Sequence, residues 1–239
     1  MIATWPSAPL EQFASKGVLR RHERGETLDL SAASEADWIM IHAGAVVLSS
    51  RIGQETSIPT AVLWRGDVIG ALSPVGARVS RYDVSTLVET TLLHVPKALI
   101  DKSDWRDCEA LVHDTADRIQ EQIAIRLAGD GLQRLMGVLG VLARALHPRD
   151  PFTRSASALS LPVKQGELAE FAGLSRRQVW IYLGRLAELG WVQTSRTSVT
   201  LTGSAAWFRL VPELRSRGLD CIATIEGCDE TLARLALAE

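Results

Sequence analysis

The stretch Leu161–Gly203, LPVKQGELAEFAGLSRRQVWIYLGRLAELGWVQTSRTSVTLTG, decides how this chain is read. It parses as a short helix from Lys164 to about Phe171, a turn at Ala172-Gly173-Leu174, a second helix and a β-hairpin. That order describes a winged helix-turn-helix, a module that lays its second helix in the DNA major groove. Gly173 supplies the positive φ that a sharp helix-to-helix corner needs. Ser175 is a natural N-cap, and Gln178 three residues on completes a capping box. Val179, Leu183, Leu186 and Leu189 recur at helical spacing and define a buried face. Gly190 closes the helix. Trp191-Val192-Gln193 and Ser198-Val199-Thr200-Leu201 are β-prone runs around Thr194-Ser195-Arg196-Thr197, which would form the wing.

The opposite face of the second helix carries Arg177, Ile181 and Gly184, with Arg176 and Trp180 beside them. Two arginines at a helix N-terminus oppose the helix dipole, which favours anions there. They suit guanine edges or phosphates, because the first residues of a recognition helix reach base edges. Ile181 suits a thymine methyl. Gly184 costs about 1 kcal/mol against alanine in mid-helix. Either close approach of a DNA backbone or packing against a neighbouring helix would account for it. The plainer reading of the arginines is a solvated surface.

These residues resemble the C-terminal domain of the family of the cyclic-AMP receptor protein and the fumarate-nitrate reduction regulator (CRP/FNR). Its second helix typically opens S-R-x-x-V, matched here by Ser175-Arg176-Arg177-Gln178-Val179. The resemblance places its three base-reading positions on Arg176, Arg177 and Ile181. Arg177 and Ile181 depart from the residues common there, so the operator should differ from the family's commonest sequence. The expected DNA-contacting set is Lys164, Ser175, Arg176, Arg177, Gln178, Trp180, Ile181, Arg185 and Arg196. Arg176, Arg177, Gln178 and Ile181 would read bases. Ser175, Lys164 and the wing residue Arg196 would meet phosphates.

The N-terminal half extends the resemblance. Residues from about Val18 to Val95 alternate short strands with turn residues, as a small barrel or sandwich does. Gly25-Glu26 marks a turn before a strand. Trp38 to Leu48 reads as two strands broken at Gly44. Trp64-Arg65-Gly66-Asp67-Val68-Ile69-Gly70 resembles the family's x-G-D-x-x-G segment, and Val84 to Val95 gives a last strand pair turning near Glu89-Thr90. Nucleotide-binding members carry G-E-L followed by R-S or R-T. Here the segment is Gly70-Ala71-Leu72-Ser73-Pro74, and Ala71 replaces the carboxylate that would hold a ribose hydroxyl. Loss of such a partner is costly to affinity, so ordinary cyclic-AMP control is not expected. Arg78 and Arg81 are candidates for another anionic effector, or surface residues of a loop.

No cofactor is expected. Cys108, Cys221 and Cys228 are the only cysteines, too few for a four-cysteine iron–sulfur cluster. His22, His42 and His94 lie in the barrel region without haem- or metal-ligand spacing. Cys221 and Cys228 are either a redox pair or buried thiols. Nothing pairs a nucleophile with a base, so an enzyme is not expected.

Between barrel and reader, residues from about Asp104 to Leu127 form a helical stretch. Its stripe runs Val112, Ala116, Ile119, Ile123 and Leu127, widened by Cys108 and Leu111. Such a stripe suits a two-stranded coiled coil or a helix lying on its own barrel. In the resembled family it pairs two subunits. Ala128-Gly129-Asp130-Gly131 breaks the helix, as a hinge or a static corner. Leu132–Leu146 is a further helix, ended by His147-Pro148-Arg149-Asp150-Pro151 and a serine-rich loop. A dimer would read an inverted repeat, its two helices about 34 Å apart.

The fold expected is α+β: an N-terminal β-roll, jelly-roll-like, over 1–103; a dimerisation helix over 104–128; a winged helix-turn-helix over 129–203; and an extension over 204–239. In the extension, Ala205–Leu214 and Asp229–Ala238 look helical, with Leu219–Ile225 a strand between them. It pads the reader, touches the barrel or receives a partner. The chain has 239 residues, net charge −2 and a pI near 6.2, so it lacks a global basic signal. The Leu161–Gly203 segment is locally basic: Lys164, Arg176, Arg177, Arg185 and Arg196 outnumber Glu167, Glu170 and Glu188, a net of +2. The cysteine usage, with no membrane span or signal peptide in view, predicts a cytoplasmic protein without membrane contact. The functional expectation is a homodimeric DNA-binding transcription regulator, with RNA polymerase and an unidentified small-molecule effector as candidate partners. The alternative is a ligand-sensing or protein-interaction module whose winged helix no longer binds DNA, Trp180 then serving as an exposed anchor.

Overall fold

The computed structural model describes residues 7–29, 37–52, 56–69, 82–101, 104–147 and 158–237. The chain divides into two compact units, residues 1–120 and 121–239.

The first unit opens with helix α1 (Ser7–Ala14) and continues as β1 (Val18–His22), β2 (Thr27–Leu28), β3 (Asp37–Ala43), β4 (Ala45–Ile52), β5 (Thr56–Trp64), β6 (Val68–Ile69), β7 (Tyr82–Thr86) and β8 (Thr90–Pro96). Two four-stranded antiparallel sheets result, ordered β1-β8-β3-β6 and β2-β7-β4-β5. The two-residue period of a strand sorts the side chains. Ile39, Ile41 and Leu92 join Val46, Leu48, Leu63 and Val84 in the core between the sheets. Their neighbours Trp38, Met40, Leu93 and Val95 form a second cluster with Phe13 of α1. Gly44, at φ +88°, turns β3 into β4; a Cβ there would lie 2.4 Å from the Glu89 carbonyl oxygen, so only glycine fits.

Helix α2 (Trp105–Leu127) begins in the first unit and ends in the second. Cys108 and Leu111 are buried in the Phe13–Trp38 cluster, with Val112 partly buried against it. Ile119 packs against the inter-sheet core. Ile123 and Leu127 are exposed, at 37% and 81%. The N-terminal part of the helix therefore lies on its own barrel, while Ile123 and Leu127 near its end are exposed and Ile125 between them is buried.

The second unit contains α3 (Gly131–Leu146), β9 (Ala158–Leu161), α4 (Gln165–Ala172), α5 (Arg176–Glu188), β10 (Val192–Thr194), β11 (Val199–Thr202), α6 (Ser204–Arg217) and α7 (Ile225–Leu237). The α2–α3 corner is closed by a capping box. Asp130 accepts from the Gln133 amide at 2.9 Å, and the Gln133 side chain accepts from the Asp130 amide at 2.6 Å. Helix α3 is buried along almost its whole length and packs on α4, α5 and α6.

One expectation is corrected. The stretch Leu219–Ile225 is not a strand: Leu219–Ile222 is a 3₁₀ turn and α7 starts at Ile225. Gly218 ends α6 with its N–H on Leu214 O, and Thr224 already caps α7 by accepting from the Gly227 amide. Too few residues remain between these caps for a ladder. Ala158–Leu161 pairs with β11 and makes the wing sheet three-stranded, order β10-β11-β9, a strand the sequence reading did not include. Leu159 and Leu161 are buried there while Ala158 and Ser160 face solvent.

Candidate nucleic-acid interface

The helix-turn-helix is held from inside. Leu168, Ala169, Phe171 and Ala172 of α4 are buried, as are Val179, Leu183 and Leu186 of α5. Gly173 takes the left-handed conformation at φ +61° and ends α4. Arg126 and Arg134 donate to the carbonyls of Glu170 and Gly173, each at 3.4 Å, placing cations at the α4 C-terminus. Ser175 Oγ accepts from the Gln178 amide at 3.2 Å, and Gln178 Oε1 accepts from the Ser175 amide at 3.0 Å. The Gln178 side-chain oxygen is thereby used by the cap, as is the Ser175 hydroxyl at 2.9 Å.

Outward from this frame, Ser175, Arg176, Arg177, Gln178, Trp180, Gly184 and Arg185 are exposed, with Ile181 half-buried among them. Trp180 is 66% exposed. A Cβ on Gly184 would meet nothing within 4 Å, so packing against a neighbouring helix does not explain this glycine. Lys164 is exposed just before α4, its amide bound to Glu167 Oε2 at 2.6 Å.

The wing projects Arg196 from a braced tip. Ser195 N donates to Ser198 O at 2.9 Å, while Ser195 Oγ accepts from the amides of Thr197 and Ser198 at 3.2 and 3.0 Å. At its base, the Trp191 indole N–H donates to Asp229 of α7 at 2.6 Å, and the Trp207 indole N–H to Thr202 O at 2.9 Å. Residues 204–237 of the extension therefore pack into the second unit and hold the wing. Sequence reasoning left its place open, although Trp191 and Trp207, large apolar groups each carrying one donor, were the available signal.

The three cysteines are free thiols. Cys108 and Cys228 are buried, which pushes them up to about 11 and about 12, and no disulfide forms. Cys221 and Cys228 donate to different carbonyls, of Gly218 and Ile222. Among the described residues no group of His, Cys, Asp or Glu is placed to hold a metal ion, and no helix is long and apolar enough to cross a membrane. Arg78, Arg81 and the Gly70–Pro74 segment lie outside the described residues.

A second polar constellation lies beneath the G-D segment of the barrel. Asp67 is fully buried and accepts from the Trp64 amide at 2.7 Å, from Thr115 Oγ1 at 3.3 Å and from Arg118, both of the latter on α2. The Arg118 guanidinium lies 4.3 Å from the Trp64 ring centroid. Burial pushes the Asp67 carboxyl upward, and the Arg118 charge with these hydrogen bonds pulls the other way.

No protein-family model and no curated protein sequence matches the chain. Solved structures do. A CRP-family transcriptional regulator from Thermus thermophilus is 21% identical with a TM-score of 0.65, covering 81% of this chain and 96% of that one. A CRP/FNR-family regulator from the same organism is 17% identical with a TM-score of 0.61, covering 82% and 98%. The c-di-GMP-responsive global regulator CLP of Xanthomonas campestris is 15% identical with a TM-score of 0.57, covering 82% and 99%. The matches span both units, and the chain has the fold of the CRP/FNR transcriptional regulators.

Proposed function

We propose that this chain is a DNA-binding transcription regulator of the CRP/FNR type that acts as a homodimer on an inverted-repeat operator. The observation that carries the reading is the outer face of α5. Arg176, Arg177, Trp180 and Gly184 stand exposed over a buried Val179–Leu183–Leu186 face, at the start of a firmly capped helix. Arg176 and Arg177 read bases, with Ile181 against a thymine methyl. The amide nitrogen of Gln178 serves a base edge, since its oxygen is used by the cap. Lys164, Arg185 and Arg196 take phosphates, which carry position and not sequence. Ser175 is proposed at a phosphate as well, beside the cap its hydroxyl makes. The second copy covers Ile123 and Leu127 at the end of α2. Ala71, where nucleotide-binding relatives carry glutamate, argues against cyclic AMP as the signal. An effector of other chemistry and RNA polymerase are the remaining proposed partners.

The test is selection of random genomic fragments by the purified chain at near-physiological salt, followed by sequencing. An enriched inverted repeat with half-sites one helical turn apart supports the reading. Arg177→Ala should then cost about 1–3 kcal/mol on the best site and relax preference at one base pair. The exposure of Trp180 favours one alternative, a protein-docking surface, which predicts no enrichment and salt-insensitive binding to a protein partner.

A further inference from the structure

Gly166 is the second residue of α4, and its missing side chain is occupied by another residue's. A Cβ built there would lie 3.3 Å from Nε of Arg176, 3.4 Å from Nη2 and 3.6 Å from Cζ. The guanidinium of the first α5 residue thus lies along the first turn of α4. Glycine costs about 1 kcal/mol against alanine in a helix interior and less in the first turn, where Gly166 lies. Neither a turn nor a positive φ requires it here, since Gly166 is not among the glycines in that region. The Arg176 guanidinium lies where any side chain longer than a methyl group on residue 166 would stand. An arginine left free on a helix surface samples many rotamers, and ordering it on binding costs affinity. One that already lies against neighbouring backbone meets DNA in a set position.

We infer that Gly166 is a specificity-determining residue of the DNA site, acting by positioning the Arg176 guanidinium. This rests on the proposed DNA recognition and adds a residue from outside the recognition helix. Alanine at 166 crowds the guanidinium by a few tenths of an ångström. Leucine, a good helix former, fills the space it occupies.

The experiment compares wild type, Gly166→Ala, Gly166→Leu, Arg176→Ala and Gly166→Leu/Arg176→Ala. Each is titrated at fixed salt against the operator selected by the wild-type chain and against its single-base-pair variants, with a thermal unfolding midpoint for each protein. Gly166→Ala and Gly166→Leu should keep or raise the midpoint, because both residues favour helix over glycine. Gly166→Leu should lose about tenfold on the best operator, within the range of one good base contact. That loss should fall on the base pair whose preference Arg176→Ala erases, with Gly166→Ala in between. In the Arg176→Ala background the leucine should add nothing. Wild-type selectivity in Gly166→Leu, an equal loss on every sequence, or a loss that persists without Arg176 would overturn the inference while leaving DNA recognition intact. A wild-type chain that selects no operator would overturn both.

Discussion

Replacing Arg118 by leucine should destabilise the barrel through the carboxylate it leaves behind. Asp67 has no solvent exposure, and Arg118 is nearly buried, its side chain 12% exposed. Asp67 keeps the Trp64 amide at 2.7 Å and the Thr115 hydroxyl at 3.3 Å, both neutral donors. A lost hydrogen bond to a charged group is worth about 1.5–3 kcal/mol, and the guanidinium over Trp64 adds about 0.5–2 kcal/mol. Removing one member of a buried pair typically costs about 3–5 kcal/mol, because a charge stays without compensation. Arg118→Leu should fall in that range at pH 7. Asp67→Asn/Arg118→Leu should recover much of it, since an amide oxygen still accepts from Trp64 and no charge is stranded. The pH dependence has a definite sign. In Arg118→Leu the carboxyl is held above its unfolded value, so its stability contribution is present in acid and lost as pH rises. The deficit against wild type should therefore shrink from pH 7 to pH 5. Urea unfolding followed by tryptophan fluorescence measures this, Trp64 lying beside the substitution. A loss under about 1 kcal/mol, an additive double variant, or a deficit that grows in acid would refute the reasoning.

Gly184→Ala should stabilise the chain by about 1 kcal/mol, as nothing lies within 4 Å of the new methyl, and weaken operator binding if DNA approaches there; a gain in stability with unchanged affinity would remove Gly184 from the interface. His94 is buried without a hydrogen-bond partner on either ring nitrogen. Burial and the nearby Arg20, with a smaller push from His22, hold it below the usual histidine value, while Asp37, 3.7 Å from Nδ1, opposes them. Its neutral form is favoured in the fold, so stability should be lost as pH falls from about 6.5; His94→Leu should flatten that slope in urea unfolding at pH 7 and 5.5. Leu127→Glu should convert the proposed dimer to a monomer in sedimentation, Leu127 being 81% exposed in the single chain; an unchanged mass would place the interface elsewhere.

Legibility in the sequence followed how local the physics was. Ser175, Gln178 and Gly173 act within four residues of themselves, and the capping box and turn stand where the sequence put them. Gly44 likewise marked its strand break, because no other residue fits beside Thr90. The wing's third strand was hidden because Ala158–Leu161 is four residues long and its partner β11 lies almost forty residues on. The supposed strand at Leu219–Ile225 failed for the converse reason. β-prone residues form a strand only where an edge is open to them, and the caps at Gly218 and Thr224 leave no room. For the site, residue types on α5 were readable from helical period. The pairing of Gly166 with Arg176 joins two helices across the turn and left no periodic trace.

Helix α2 makes the same point about function. Its apolar residues are spread too widely for a single seam, and the sequence alone admitted either a coiled coil or a helix on a barrel. The structure shows the barrel contact over the first part of the helix. Cys108, Leu111 and Thr115 are buried on the barrel side, and Thr115 and Arg118 reach the G-D turn through Asp67. Past the unit boundary at Gln120, Ile123 and Leu127 turn outward. The polar residues of the first part matter as much as its leucine. Thr115 Oγ1 accepts from the Val68 amide at 3.2 Å and shares its one proton between Leu111 O at 2.8 Å and Asp67 at 3.3 Å, tying the strand after the G-D turn to one turn of helix. A buried charge pair fixes a register more strictly than apolar contact does, because a slip strands the charge. The helix is thus set in register on the barrel at Asp67, whatever covers its exposed end.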